Sequence, residues 1–168
     1  MSAGQVRITG GCQCGAVRYA IHEPLREASI CHCRMCQKAF GAFYAPLVGA
    51  PLAGFELTRG EMGLFRSSDA VERGFCRDCG TPLSFRYIEG DRIDVSIGSL
   101  DDPSAAKPVA QYGLESRLPW VGELDSLPGR TTDESNETAR LDVIGRTNHQ
   151  HPDHDAETWL PAKRGQDG

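Results

Sequence analysis

Seven cysteines fall into three clusters whose spacing suits metal ligation. Cys12 and Cys14 lie in GGCQCG, Cys31, Cys33 and Cys36 in CHCRMC, and Cys76 and Cys79 in FCRDCG. Thiolates hold zinc tetrahedrally: a shell of four protein ligands closes a structural site, whereas a shell of three leaves a position for water or substrate. Four thiols plus three would fill one centre and leave a second one ligand short.

Local geometry suggests how they divide. In a strand, residues i and i+2 share a face, so Cys12 and Cys14 would both reach one ion. Cys-x-x-Cys followed by glycine is a knuckle whose backbone N–H groups point at sulfur, with Gly80 taking the tight turn. Joining Cys12 and Cys14 to Cys76 and Cys79 gives a four-sulfur structural site. Zinc binding worth about 10–16 kcal/mol exceeds the entropy of closing so long a loop. Cys31, Cys33 and Cys36 form a contiguous C-x-C-x-x-C, and a loop entering one helical turn would gather them around an ion with the fourth position open. Spacing alone reads equally well as a closed brace completed by His32 or a distant residue. His32 lies between two ligands and should point away from the ion if both bind.

Other thiol chemistry fits less well. An odd count strands one thiol in a disulfide framework, Cys31 and Cys33 are badly spaced to bridge, and the spacings match no ferredoxin run. The N-terminal MSAGQVRITGG has no apolar signal-peptide core, so a cytoplasmic location is expected, where thiols stay reduced. The longest uncharged apolar stretch, Ala39–Phe55, is broken by Gly41, Pro46, Gly49, Pro51 and Gly54, too often for a membrane span. A net charge of −5 argues against nucleic acid or an anionic membrane as partner. Small molecules are the expected partners, and nothing in the chain specifies an oligomeric state.

The elements that must carry these clusters read mostly as strands. Gln5–Thr9, Ala16–Ile21, Phe43–Val48, Met62–Ser67, Val71–Phe75, Leu83–Ile88, Arg92–Ile97 and Val109–Leu114 are expected strands, the first weakly alternating and Arg92–Ile97 cleanly so. Gly49 and Pro51 should stop the third. Spacing of about ten residues with Gly/Pro punctuation implies a mainly β domain over residues 1–130. The best core helix is short, Cys33–Phe40. Residues 131–168 hold eight Asp/Glu, four Lys/Arg and few large apolar side chains. They read as a polar tail, mobile or docked, with a marginal helix capped by Thr132 or Asp133 and running to about Arg146.

GGCQCGAVRY, CHCRMCQKAFGA and FCRDCGTPL, in that order, resemble the glutathione-dependent formaldehyde-activating enzyme family, which includes the centromere protein V domain. The likeness covers about residues 9–121, with IGSLDDP and SRLPW. It implies a β-tent, zinc-ribbon-like fold. It also implies a structural Zn2+ on Cys12, Cys14, Cys76 and Cys79, and a second, catalytic Zn2+ on Cys31, Cys33 and Cys36. The implied activity is that of a carbon–sulfur lyase on adducts of the S-hydroxymethylglutathione type. A non-catalytic zinc-binding interaction module of the same fold is the alternative.

Three thiolates on a divalent ion leave one net negative charge, which blunts Lewis acidity and suits the ion to cradling an incoming thiolate. A thiol made nucleophilic there would add to an aldehyde carbon, or in reverse release one. Glutathione carries two carboxylates, so Arg34, Lys38 and Arg117 are candidate anchors, set against ordinary solvated surface charge. Where the family often places a histidine before its SR-W segment, this chain has Gln111, which puts formaldehyde activity in question. Tyr112 and Trp120 read as core or rim aromatics. His149, His151 and His154, with Asp153 and Asp155, read as a solvated tail with at most weak metal affinity.

Overall fold

The computed structural model describes residues 6–134 and 138–159. In chain order the elements are β1 (Ile8–Gly11), β2 (Arg18–Ile21), β3 (Ala28–Cys31), α1 (Arg34–Phe40), β4 (Ala45–Pro51), β5 (Phe55–Arg59), β6 (Gly63–Ser68), β7 (Val71–Phe75), β8 (Pro82–Tyr87), β9 (Arg92–Ser96), β10 (Pro108–Tyr112) and α2 (Thr138–Thr147). The protein is mainly β. A three-stranded sheet has the order β1-β2-β5, and a seven-stranded sheet runs β10-β3-β4-β9-β8-β7-β6. Neighbours pair antiparallel except β10 with β3, which run parallel.

Alternation in the sequence becomes the core. Ile93 and Val95 of β9 face inward while Arg92 and Asp94 reach the cleft described below, and Val95 lies opposite the fully buried Val48. Val17, Tyr19, Ile21, Leu83 and Leu100 complete the same apolar cluster, which also contains Cys12 and Cys76. A smaller cluster of Cys36, Ala45 and Leu47, backed by Phe40 and Phe85, lies under α1. The turn from β1 to β2 belongs to the small sheet and that from β7 to β8 to the large one. A bond between those turns therefore ties the sheets together.

Several elements differ from expectation. The strand expected over Phe43–Val48 runs from Ala45 to Pro51, straight through Gly49. A Cβ at Gly49 would lie 2.4 Å from the Arg92 guanidinium, so glycine admits that side chain across the strand rather than ending it. β3 and β5 were not anticipated: β3 has four residues, too few to display a period, and β5 has only Phe55 and Leu57 on its apolar face, of which Phe55 packs on the core and Leu57 stays exposed. The first expected strand begins outside the described residues and is observed at Ile8–Gly11. Over the expected tail helix, Thr132–Glu134 forms a 3-10 turn and α2 spans Thr138–Thr147.

Candidate metal centres

Two turns bring Cys12, Cys14, Cys76 and Cys79 together. Their sulfurs all lie within 4.8 Å of one another, with Cys12 to Cys14 at 3.6 Å and Cys14 to Cys76 at 3.8 Å. Tetrahedral zinc with Zn–S bonds of about 2.3 Å has sulfur–sulfur edges of about 3.8 Å, so this donor set fits Zn2+. The Cys-x-Cys geometry arises differently from expectation. β1 ends at Gly11, so a turn and not a strand face aims Cys12 and Cys14. The Cys12 N–H donates to the Val17 carbonyl (2.9 Å), and the Gly15 N–H, at φ +71°, closes back on the Cys12 carbonyl (3.0 Å). Cys76 makes the matching knuckle: its N–H bonds the Thr81 carbonyl at 2.9 Å, and Gly80, at φ +78°, donates back to its carbonyl at 3.0 Å.

Backbone N–H groups do point at sulfur, from Val17 to Cys12 at 3.2 Å and from Asp78 to Cys76 at 3.4 Å. Burial pushes the Cys12 thiol far above its ordinary value and that of Cys14 up to about 11. Burial also opposes ionisation of Cys79, but hydrogen bonds from the Thr81 hydroxyl and N–H and from Cys14 outweigh it and pull that thiol down to about 6.

The trio forms where β3 runs into α1. Cys31 ends the strand and Cys33 caps the helix, its sulfur accepting the Cys36 N–H at 3.4 Å, while Cys36 sits in the first turn. All three sulfurs lie within 4.8 Å of one another, so they too suit a soft divalent cation. Among the described residues no His, Asp or Glu atom joins them. His32 faces the other way, fully buried, with Nε2 3.0 Å from Gln111 Oε1 and its ring edge-on to Tyr44. Gln111 thus meets a histidine instead of replacing one at the sulfurs. Burial raises the Cys31 thiol to about 12, and the neighbouring Cys36 sulfur adds to this. Cys33 is pulled below its ordinary value, burial opposing and the Cys36 N–H hydrogen bond prevailing.

A cleft of about 460 Å³ has the three cysteines in its wall, with Leu47, Val71, Phe85, Tyr87 and Tyr112 around them and the Arg92–Asp94 pair (2.6 Å) also lining it. Tyr112 is a rim residue, whereas Trp120 packs edge-on against Phe43. Arg34 and Lys38 line an adjacent hollow of about 420 Å³ that shares Met35 and Arg73 with the cleft. Arg117 is exposed and lines neither. Arg73 was not singled out from sequence: it lies in the expected strand Val71–Phe75, sharing a face with Val71 and Phe75, but its approach to Cys36 emerges only from the fold.

The tail corrects another expectation. His151 is buried: its N–H bonds the Gln13 carbonyl (2.7 Å), and its ring meets Trp159, whose indole N–H reaches the Cys14 carbonyl (2.8 Å). Asp155 pairs with Arg18 at 2.9 Å, and Arg18, itself buried, also grips Asp101. The side chain at Gly15 would occupy the space that His151 and Trp159 fill, which is why a polar tail can seat against the first knuckle.

Similarity to known proteins agrees with this layout. An uncharacterized lyase of Schizosaccharomyces pombe is 33% identical over 90 residues, 48% of this chain and 58% of the relative, so the chain spans less than two thirds of that protein's length. A crystal structure of a Rhodobacter sphaeroides protein superposes with a TM-score of 0.51 at 25% identity, over 61% of this chain and 98% of the other. Among the described residues no helix is long and apolar enough to cross a membrane. The sequence pattern named glutathione-dependent formaldehyde-activating enzyme matches residues 7–116, a span holding all seven cysteines and strands from both sheets, and the chain therefore belongs to that family.

Proposed function

We propose that the chain is a carbon–sulfur lyase-like enzyme that forms or cleaves a thiol–aldehyde adduct of the S-hydroxymethylglutathione type. The observation that carries this reading is the convergence of Cys31, Cys33 and Cys36 in the wall of a cleft, with no fourth protein ligand among the described residues. The quartet serves architecture by tying the two sheets. The trio would hold a second divalent cation, whose positive charge keeps an incoming thiol deprotonated near neutral pH.

The chemistry is a simple addition. The thiolate lone pair attacks the carbonyl carbon, a C–S bond forms, the C=O π pair moves to oxygen, and that oxygen takes up the proton the thiol lost. Cleavage is the reverse. Leu47, Val71 and Phe85 wall the cleft and limit water there. Arg34 and Lys38, in the adjoining hollow, suit the carboxylates of glutathione, and holding both reactants together supplies the rate advantage of proximity.

The test follows exchange between free and adducted formaldehyde by NMR with glutathione present. Native protein should accelerate exchange, and Cys36→Ser should fall to the uncatalysed rate while keeping its fold and the quartet's metal. Alanine at Arg34 or Lys38 should raise KM for glutathione, whereas Arg117→Ala should leave it unchanged. A folded Cys36→Ser chain with native activity overturns the reading and favours a non-catalytic zinc-binding module.

A further inference from the structure

We propose that Arg73 is the counter-cation of the second metal centre, neutralising the charge of the Cys31–Cys33–Cys36 set and thereby helping to retain its ion. This rests on the reading that the trio holds a divalent cation. Arg73, on β7, is only 7% exposed. Its Nη2 donates to Cys36 Sγ at 3.4 Å, its Nε donates to Ser67 Oγ at 3.2 Å, and Nη1 is buried with no hydrogen-bond partner among the described residues. The guanidinium carbon lies 5.0 Å from the centre of the Phe85 ring.

A guanidinium cannot shed its proton, so burying one requires negative charge nearby. Among the described residues Arg73 pairs with no carboxylate. Glu72, its neighbour in sequence, is taken by Arg86 at 3.0 Å, and Asp94, in the same cleft, is taken by Arg92 at 2.6 Å. The aromatic face of Phe85 gives a cation partial relief only. What remains is sulfur. Three thiolates on a divalent cation leave one net negative charge, and Arg73 supplies one positive charge against the most buried of the three sulfurs. The quartet, whose four thiolates leave two, is served by backbone N–H groups from Val17 and Asp78. Among the described residues a guanidinium hydrogen-bonds a ligand sulfur at the trio and none does so at the quartet, which marks a division of labour: Arg73 is a positioning residue for the trio.

The test measures zinc retention against a chromophoric chelator, with the Cys36→Ser chain giving the reference trace for the quartet's ion alone. Arg73→Met, which keeps bulk and removes charge, should lose the trio's ion at least tenfold more readily while the quartet's ion is unmoved. Arg73→Lys, which keeps charge, should stay within about threefold of native. Cobalt loading gives an independent signature, since the sulfur-to-metal absorption assigned to the trio should shift in Arg73→Met and not in Arg73→Lys. Where Arg73→Met fails to fold, Arg73→Gln gives the same reading. Native-like retention in either uncharged variant, equal loss from both centres, or a lysine variant as weak as the methionine one overturns the assignment. A native chain that holds an ion only at the quartet overturns the two-centre reading itself, an outcome distinct from any of these.

Discussion

Trp159 donates its indole N–H to the backbone carbonyl of Cys14 at 2.8 Å, linking the tail to a cysteine of the first knuckle across 145 residues of chain. The contact is reinforced on both sides. His151 stands against the Trp159 ring with centroids 5.0 Å apart, and Arg59 donates to the Ala156 carbonyl at 2.6 Å. A polar tail segment thus braces the turn that presents two metal ligands.

Removing that brace should loosen the first knuckle. Trp159→Phe deletes one hydrogen bond and should cost about 1 kcal/mol. Trp159→Ala also removes the ring and should cost roughly 2–3 kcal/mol, less than a fully buried aromatic because Trp159 is half-buried. Urea unfolding of the zinc-loaded protein measures both. The alanine variant should also surrender the quartet's zinc to a chelator faster, with the trio's ion unaffected.

Acid should release the tail in two stages. His151 Nδ1 donates to the Pro152 carbonyl at 2.6 Å, so Nε2, 3.3 Å from Arg59 Nη1, must accept from the guanidinium and the ring is neutral. Burial is the main cause holding its pKa below the ordinary value; Arg18 and Arg59 add to this, while the Pro152 carbonyl and Asp101 oppose it. Because the folded pKa is depressed, the tail's stability is complete above about pH 6.5 and is lost as pH falls through the folded value. Asp101 and Asp155, whose carboxyls lie below the usual range despite burial because of Arg18 with Thr9 and of Arg7 with Arg18 respectively, lose their contribution only below about pH 4. Trp159 emission, followed in a Trp120→Phe background, should show the first step as pH falls below about 6.5, and His151→Gln should abolish that step alone.

The two knuckle glycines should respond unequally to alanine. Both have positive φ, but a Cβ at Gly80 meets nothing within 4 Å, whereas one at Gly15 would lie 2.3 Å from His151 and 2.5 Å from Trp159. Gly80→Ala should cost about 1 kcal/mol of backbone strain. Gly15→Ala adds overpacking and should cost roughly 2–4 kcal/mol, part of which is recovered in a chain that also carries Trp159→Ala. Thermal unfolding of the single and double variants measures the coupling.

Metal removal should separate architecture from chemistry. Cys76, 1% exposed, belongs both to the quartet and to the main apolar cluster. Cys76→Ser should unfold the chain, since structural zinc contributes about 10–16 kcal/mol against a typical total stability of about 5–15 kcal/mol. Cys36→Ser should remain folded with one equivalent of zinc fewer. Circular dichroism together with metal analysis distinguishes the two variants, and a strong chelator should reproduce the Cys76→Ser spectrum.

The cysteine partition was legible in the sequence because ligand spacing is a local property. Cys31, Cys33 and Cys36 lie within six residues, so a strand end followed by one helical turn is enough to gather their sulfurs. Alternation in β9 and a short helix beginning near Cys33 were readable for the same reason. What escaped were relationships between residues far apart in the chain: Arg73 against Cys36, His32 against Gln111, and Trp159 against Cys14. Gly49 reads locally as a strand terminator, but in the fold it makes room for Arg92 across β4. The sequence by itself determined which thiols stay close, the trio and the pairs Cys12/Cys14 and Cys76/Cys79, since covalent spacing limits their reach, while the fold brings the two pairs together. Tertiary structure alone decided which of them gained a buried cation and which gained a brace, because charge compensation and packing depend on neighbours that only the folded sheets bring together.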